Sequence, residues 1–293
     1  LSRPSNILLC LDTDAQSSVF DGVVAIDSGA DQLLRHAAVR PQDVRNLVHG
    51  LMFTRGSDQL HHSAIFIGGS DATAGEAVLK AARDSFFGPL RTSVMLDSNG
   101  CNTTAAAAVL AAGRHVALAG TIATVLAATG PVGRRVVRLL CRAGARVRVA
   151  SRKLVHAEGT CDRTAVVVQG AELTPVQVDS PAAAAVAIEG AQVVIACGPP
   201  NVELLPQATR AQAHSLAVAI DLNAVPKPGL PGIGANDRGI KQHGHFCYGA
   251  LGVGGDKMKI HRAVIGELFT RNDLIFDAEE IYAFGKQLLH DGR

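Results

Sequence analysis

The segment Thr124-Val-Leu-Ala-Ala-Thr-Gly-Pro-Val-Gly133, with Ala145-Arg-Val-Arg-Val-Ala-Ser-Arg-Lys153 after it, constrains this chain more than any other. The first part reads as a buried strand turning sharply into a helix, with glycines where a pyrophosphate must approach the backbone. The second reads as the next strand of the same βαβ unit. The spacing is that of G-x-G-x-x-G with Ala128 at the first position, where alanine stands if φ stays negative. Gly130 lets the phosphate approach and Gly133 lets the helix close on the strand. Pro131 fits the first helical turn, and Thr129 and Val132 complete the loop. Taken alone, the same pattern also describes an ordinary strand–turn–helix without a ligand.

Spacing adds a second signal. Roughly 20 residues after the glycine loop, a carboxylate marks the strand end that holds the ribose of NAD. Here that strand ends in Ser151, Arg152 and Lys153. Two cations suit the dianionic 2′-phosphate of NADP, against the alternative of a solvated strand end. The expected cofactor is NADP.

At 293 residues the chain exceeds the usual size of one hydrophobic core, so two lobes are expected. Hydrophobic residues at 47% and charged residues at 18% exclude a disordered chain. A net charge of +2 gives no reason to expect nucleic acid or a membrane surface as a partner. The alanine-rich stretch 104–112 is too short to span a bilayer. No basic stretch leads into a long apolar core, and the reading is a cytoplasmic protein. The six cysteines lie far apart without C-x-x-C, as buried free thiols would. The histidines lack ligand spacing: His61 and His62 are adjacent, and His243 and His245 find no third partner, so no metal is expected.

Strand and helix patterns alternate along the chain, which implies parallel sheets covered on both faces. Strands are read at Ile7–Leu11, Ser63–Ile67, Ser93–Leu96, Ala165–Val168, Ala191–Ala196 and Leu216–Asp221. Helices are read at Ser17–Gly29, Val44–Met52, Asp71–Phe86, from Thr103 through the alanines, at Ala182–Glu189, Lys257–Phe269 and Asp277–His290. Gly249–Gly255 is read as a glycine-rich turn. Loops follow the later strands at Cys197-Gly198 and at Asp221–Pro226, which contains Asn223, and strand ends are where α/β sheets bind ligands. The expected fold is α/β with two lobes. Residues 1–112, joined by the returning C-terminal helices 256–293, form a parallel α/β lobe that binds substrate, and residues 113–255 form a Rossmann-type NADP-binding lobe.

Several longer motifs carry a resemblance. Leu11-Asp-Thr-Asp14, Ser18-Val-Phe-Asp21, Phe53-Thr-Arg-Gly56, Ala64-Ile-Phe-Ile-Gly-Gly69 and Phe86-Phe-Gly-Pro89 lie in the first third. Met95-Leu-Asp-Ser-Asn-Gly100, Asn102–Ala107, Thr129–Gly133, Glu203–Gln207, Gly249–Gly255 and Phe276–Tyr282 follow. In these the chain resembles the bacterial NADP-dependent methylene-tetrahydromethanopterin / methylenetetrahydrofolate dehydrogenases of methylotrophic C1 metabolism, over almost its whole length. Ala128 and the segment His156–Asp162 depart from the family pattern. The resemblance implies two α/β lobes around a cleft, a homo-oligomer that is a trimer, NADP on the second lobe, and a reduced pterin as substrate, either tetrahydromethanopterin or tetrahydrofolate.

The implied reaction removes hydride from a methylene carbon held between two nitrogens, leaving a methenyl cation. No proton leaves, so the protein aligns, dries the site and tolerates positive charge. Lys257 is the family-matched cation, read here as holding a pterin carbonyl, with a snorkelling helix-start lysine as the alternative. Asp14 and Asp97, at strand ends, are candidate carboxylates near the pterin or helix caps. Phe20 is a stacking candidate or part of a helix's apolar face. Asn99 and Thr103 offer an amide and a hydroxyl, or serve the turn they lie in. Other readings of the chain are a folate-specific dehydrogenase/cyclohydrolase and a non-catalytic NADP-binding redox sensor. Cyclohydrolase chemistry needs a positioned water and a proton shuttle, and no second set of groups for it stands out.

Overall fold

The computed structural model describes residues 3–224 and 227–291. Val225 and Pro226, within the loop read at 221–226, lie outside the described residues. The chain runs β1 (Ile7–Asp12), α1 (Val19–Asp27), β2 (Gln32–His36), α2 (Pro41–Met52), β3 (Ser63–Gly68), α3 (Ala72–Asp84), β4 (Ser93–Leu96) and α4 (Cys101–Gly113). It continues through β5 (Ile122–Leu126), α5 (Pro131–Arg142), β6 (Arg146–Ser151), α6 (Leu154–Val167), β7 (Leu173–Gln177), α7 (Pro181–Ile188), β8 (Val193–Ala196), α8 (Gln207–Ala211) and β9 (Val218–Asp221). It ends with β10 (Arg238–Gln242), β11 (His245–Tyr248), α9 (Ala250–Glu267), β12 (Ile275–Phe276) and α10 (Ala278–Asp291). Two compact units result. The first joins the residues up to Thr103 with those from Met258 onward, and the second is Thr104–Lys257. The chain leaves the first unit within α4 and re-enters it within α9.

The first unit is a parallel sheet of order β12-β4-β3-β1-β2. Its central strands β3 and β4 are buried along their whole length, as strands covered on both faces must be. Leu9, Leu11, Ile65, Ile67, Val94 and Leu96 pack against Val44, Val48 and Met52 of α2 and Val78 and Leu79 of α3. Strand order reverses between β1 and β3, which makes the loops after those two strands a ligand crevice by topology. Asp71 caps α3 by accepting the N–H groups of Thr73 and Ala74, and Ser18 caps α1 through Asp21 N–H.

The second unit has the order β10-β11-β9-β8-β5-β6-β7, parallel except for the antiparallel pair β10–β11. From β7 to β11 this is the doubly wound dinucleotide arrangement, and its order reverses between β5 and β8. Its core gathers Leu126, Ala150, Ile188, Val194, Leu205 and Ala219.

Three readings of the sequence are corrected. Ala165–Val168 is no strand: residues through Val167 belong to α6, and the strand is β7 further on. Helical spacing wins there, because Ala157, Thr160, Cys161 and Thr164 bury one stripe while Val166 and Val167 face outward. Gly249–Gly255 is no turn: α9 starts at Ala250, so Lys257 lies about two turns inside a helix. Its glycines serve close packing, since a Cβ on Gly249 or Gly252 would collide with the carbonyl oxygens of Gly234 or Asp237. The strands β2, β10, β11 and β12 went unread. All lie at or beside a sheet edge and are short. The β10–β11 hairpin turns at His243 and Gly244, both at positive φ.

One buried cation in the second unit is held by an imidazole, a thiol and a backbone carbonyl. The Arg210 side chain is 0% exposed and bonds His245 Nε2 at 2.6 Å, Cys247 Sγ at 3.4 Å and the Pro231 carbonyl at 3.0 Å. A guanidinium only donates, so His245 accepts at Nε2 and is neutral. Burial, and then Arg210, depress its pKa from 6.5 to about 4. The unfolded chain therefore binds a proton between those values that the folded one refuses. Stability contributed by His245 is complete above pH 6.5 and is lost as pH falls toward 4, by at most about 1.4 kcal/mol per pH unit. Urea unfolding across this window should show a weaker pH slope in His245→Gln than in the parent. Identical slopes would mean that His245 titrates alike in both states.

Candidate active site

In the second unit the glycine loop is built as the motif requires. The positive φ of the turn falls on Ala127 at +53°, not on Ala128, which leaves Ala128 free to be alanine. Ala128 N–H bonds the Ala150 carbonyl at 2.9 Å, locking the end of β5 to β6. Gly130 is the N-cap of α5, in extended geometry, with no atom within 4 Å of where a Cβ would stand. Thr129, Pro131 and Val132 are partly exposed beside it, and the first turn of α5 contains no acid. A helix N-terminus with free N–H groups and an open glycine suits an anion. At Gly133 a Cβ would stand 2.7 Å from the Ala128 carbonyl carbon, so only glycine lets helix and strand meet.

The residues at the end of β6 also fit a phosphorylated ribose. Ser151 is buried at the strand end, while Arg152 and Lys153 are exposed at the start of α6. Arg134, one residue past Gly133, adds a cation that motif reading passed over, and its Nε is buried without a partner. Cys197 N–H bonds the Leu126 carbonyl at 3.0 Å, which sets the 197–198 loop beside the glycine loop across the switch point. Burial pushes the Cys197 thiol well above its ordinary value. Gly198 abuts Leu204, which an added Cβ would displace. Asn223 follows β9, where its N–H bonds Asp221 Oδ1 and its amide the Lys227 carbonyl. Lys257 is half-buried on α9, directly after Asp256. Asp256 is 1% exposed and is gripped by Arg114 at 2.7 Å and Arg238 at 2.8 Å, which fixes the helix at this point.

In the first unit the candidates gather on the loops after β1, β3 and β4. Asp12 ends β1 and accepts the N–H groups of Asp14 and Ser18. Asp14 reaches across the switch point and accepts from Ser70 N–H and hydroxyl, at 3.0 and 2.8 Å, tying two loops together. Phe20 is 54% exposed on α1, and an exposed aromatic ring is one on which a flat ring can stack. Asp97 is buried and receives four hydrogen bonds. Asn102 N–H and Thr103 N–H each donate to Oδ1 at 3.0 Å, the Thr103 hydroxyl donates to Oδ2 at 2.6 Å, and His261 Nδ1 donates at 2.9 Å. Of the two readings weighed for Asp97, the geometry is that of the cap. Thr103 is likewise wholly buried as a brace of this turn. Asn99 differs: it is exposed, in the left-handed region at φ +55°. His261 was missed. It lies within the helix read at Lys257–Phe269, but its partner Asp97 is 164 residues away along the chain, and only the fold brings the two together. Among the described residues no three His, Cys, Asp or Glu side chains are grouped to hold a metal, and no helix is long and apolar enough to cross a membrane.

Comparison with known proteins places this geometry. The family model described as methylene-tetrahydromethanopterin dehydrogenase, N-terminal, matches residues 19–99. The chain is 44% identical to the bifunctional protein MdtA of Methylorubrum extorquens, over 96% of this chain and 98% of that protein. It is 28% identical to the NAD(P)-dependent methylenetetrahydromethanopterin dehydrogenase of the same organism, over 92% of this chain and 94% of that one. Among solved structures, ornithine carbamoyltransferase from Gloeobacter violaceus matches with a TM-score of 0.58 at 13% identity, covering 90% of this chain and 86% of that one. The ligand-free 5-ketofructose reductase of Gluconobacter matches with 0.52 at 14%, covering 98% and 100%. Those two likenesses concern the fold alone.

The two glycines of the loop should separate under mutation. Gly133→Ala gains up to about 1 kcal/mol of helix propensity. The collision with the Ala128 backbone costs more, about 1–3 kcal/mol for an overpacked contact, so the variant should unfold at lower urea. Gly130→Ala meets no protein atom and should keep the parent's stability while losing dinucleotide affinity. Equal stabilities for the parent and Gly133→Ala would mean that α5 shifts at no cost.

Proposed function

Because the chain belongs to the methylene-tetrahydromethanopterin dehydrogenase family, we propose that it transfers hydride from 5,10-methylene-tetrahydromethanopterin to NADP⁺, giving the methenyl-pterin and NADPH. The tetrahydrofolate counterpart is a second substrate in this reading. The observation that carries the cofactor choice is the pair Arg152-Lys153, exposed at the strand end where an acid would mark NAD.

When bound, the dinucleotide supplies the hydride acceptor. The backbone of Thr129, Gly130, Pro131, Val132 and Gly133 holds its pyrophosphate at the α5 N-terminus. Ser151, Arg152 and Lys153 hold the 2′-phosphate, and Cys197, Gly198 and Asn223 border the nicotinamide half. In the first unit, Asp14 fixes the substrate-side loops, Phe20 offers a stacking face and Asn99 an amide. Asp97 and Thr103 brace the turn that carries Asn99. Lys257 bonds a pterin carbonyl. It takes no proton, since the reaction releases hydride alone. This reading includes residues 1–112 with 256–293 as the pterin-binding lobe and 113–255 as the NADP-binding lobe, and a cytoplasmic homotrimer.

The direct test supplies each methylene-pterin with each nicotinamide cofactor and follows reduction. Turnover of methylene-tetrahydrofolate alone, with enzyme-accelerated decay of the methenyl product, would favour a dehydrogenase/cyclohydrolase. NADP binding with no turnover of either pterin would favour a redox sensor.

Replacing Arg152 and Lys153 together by neutral residues should remove charge-assisted bonds worth roughly 1.5–3 kcal/mol each, less where solvated. Titration should then show NADP weakened far more than NAD, and equal weakening would remove these residues from the 2′-phosphate site. Lys257→Met keeps the apolar stem and loses the ammonium. Its catalytic efficiency toward the pterin should fall about ten- to a hundredfold, from one lost bond of roughly 1–3 kcal/mol, with NADP affinity unchanged. Lost NADP affinity would move Lys257 into the cofactor site.

A further inference from the structure

Within the first unit, β4 delivers the chain into a turn that no ordinary loop would hold. Asn99 and Gly100 both sit at positive φ, +55° and +59°. A left-handed asparagine is tolerated but not free, and it persists where its surroundings over-determine it. Here they do. Ser98 hydroxyl donates to the Gly68 carbonyl at 2.9 Å, and Asn99 N–H donates to the Gly69 carbonyl at 2.7 Å. Below the turn, the buried Asp97 carboxylate gathers Asn102 N–H, Thr103 N–H and the Thr103 hydroxyl. The fourth donor comes from a distant part of the chain. His261 on α9 is 1% exposed and donates from Nδ1 to Asp97 Oδ2 at 2.9 Å. A carboxylate has only lone pairs to offer, so Nδ1 carries the proton. The ring lies against Phe66, centroids 5.7 Å apart, and its Nε2 is buried without a partner.

We infer that His261 and Asp97 are positioning residues that lock the 97–103 turn so that the exposed Asn99 amide is presented to the pterin. This rests on the functional reading above. The contact between His261 and Asp97 is a costly way to stabilise a fold, because both groups must leave water to make it. What the pair supplies is a single geometry for the strained turn. His261 reaches no substrate in this account. It acts through Asp97, and Asp97 through the backbone of the turn.

The test is a double-mutant cycle. His261→Leu removes the donor to Asp97, whereas His261→Asn keeps an N–H near the place of Nδ1. In steady-state kinetics His261→Leu should lower pterin catalytic efficiency roughly 10- to 100-fold, the scale of a misplaced positioning contact. NADP affinity should stay within about twofold, and His261→Asn should recover most of the loss. In an Asn99→Ala background the His261→Leu change should cost about twofold or less, because its route of action is already gone. Additive losses in the cycle, or equal losses in the Leu and Asn variants, would overturn the assignment. If the wild type turns over neither pterin, the functional reading fails, and the same cycle is read in the dissociation constant for tetrahydrofolate measured by calorimetry. Should His261→Leu not fold, ¹⁵N-histidine spectra of the wild type decide the pair. A buried ring protonated at Nδ1 and slow to exchange is expected, and a His261 lacking that proton would end the proposal.

Discussion

Backbone N–H groups in the loops that leave a parallel sheet have no strand to bond, and this chain satisfies them with buried aspartates. Asp12 at the end of β1, Asp97 after β4 and Asp221 at the end of β9 are 5%, 3% and 2% exposed. Each accepts N–H groups from the loop that follows: Asp14 and Ser18, Asn102 and Thr103, Asn223 and Leu230. Burial pushes the Asp221 carboxyl up, and the N–H groups of Leu230, Asn223 and Gly229 hold it back. Losing such a carboxylate would leave several buried donors unpaired, at about 1–3 kcal/mol each. These loops lie at the strand carboxyl ends, where α/β sheets place their ligands. The same bonds therefore order the fold and shape its functional surface.

This device explains why candidate carboxylates took different parts. Asp97 has its oxygens turned inward to four protein donors. Asp14 is spent in joining two loops through Ser70. Neither stands as an isolated charge beside a substrate. In the proposed reaction a cation forming on the pterin would meet their field through the loops they hold, and direct contact is assigned to exposed groups such as Asn99 and Phe20. In the second unit the division is similar. Gly133 serves helix–strand packing, and Gly130 beside it serves open space.

Much of this was legible in the residues. Central strands β1, β3, β4, β5, β6, β8 and β9 are apolar and flanked by helices of amphipathic spacing, and the glycine loop carries its own geometry. Edge strands were not legible, because Gln32–His36 and Arg238–Gln242 are polar and have one strand neighbour or none on a side. Glycines at 249, 252, 254 and 255 mimic a turn in sequence. Two of them, Gly249 and Gly252, instead let the start of α9 press against carbonyls fifteen residues earlier, which the sequence does not reveal. The α6 terminus misled for the opposite reason: its valines favour strands, yet the buried stripe sits on the small residues before them. Asp97 was visible as a strand-end acid, but the donor His261 is distant in sequence and could be found only through the fold.

The passage of the chain between units inside α4 and α9 bears on how the protein is made. A polypeptide emerging from the ribosome presents β1 to β4 first, but their sheet is unfinished. Strand β12 pairs with β4 through Ile275↔Val94 and Phe276↔Met95, and the His261 donor to Asp97 is also synthesised late. The whole of Thr104–Lys257 must be translated in between. The middle of the polypeptide thus has everything it needs to fold before the beginning does, and the open edge of β4 is the surface most in need of shelter during that wait.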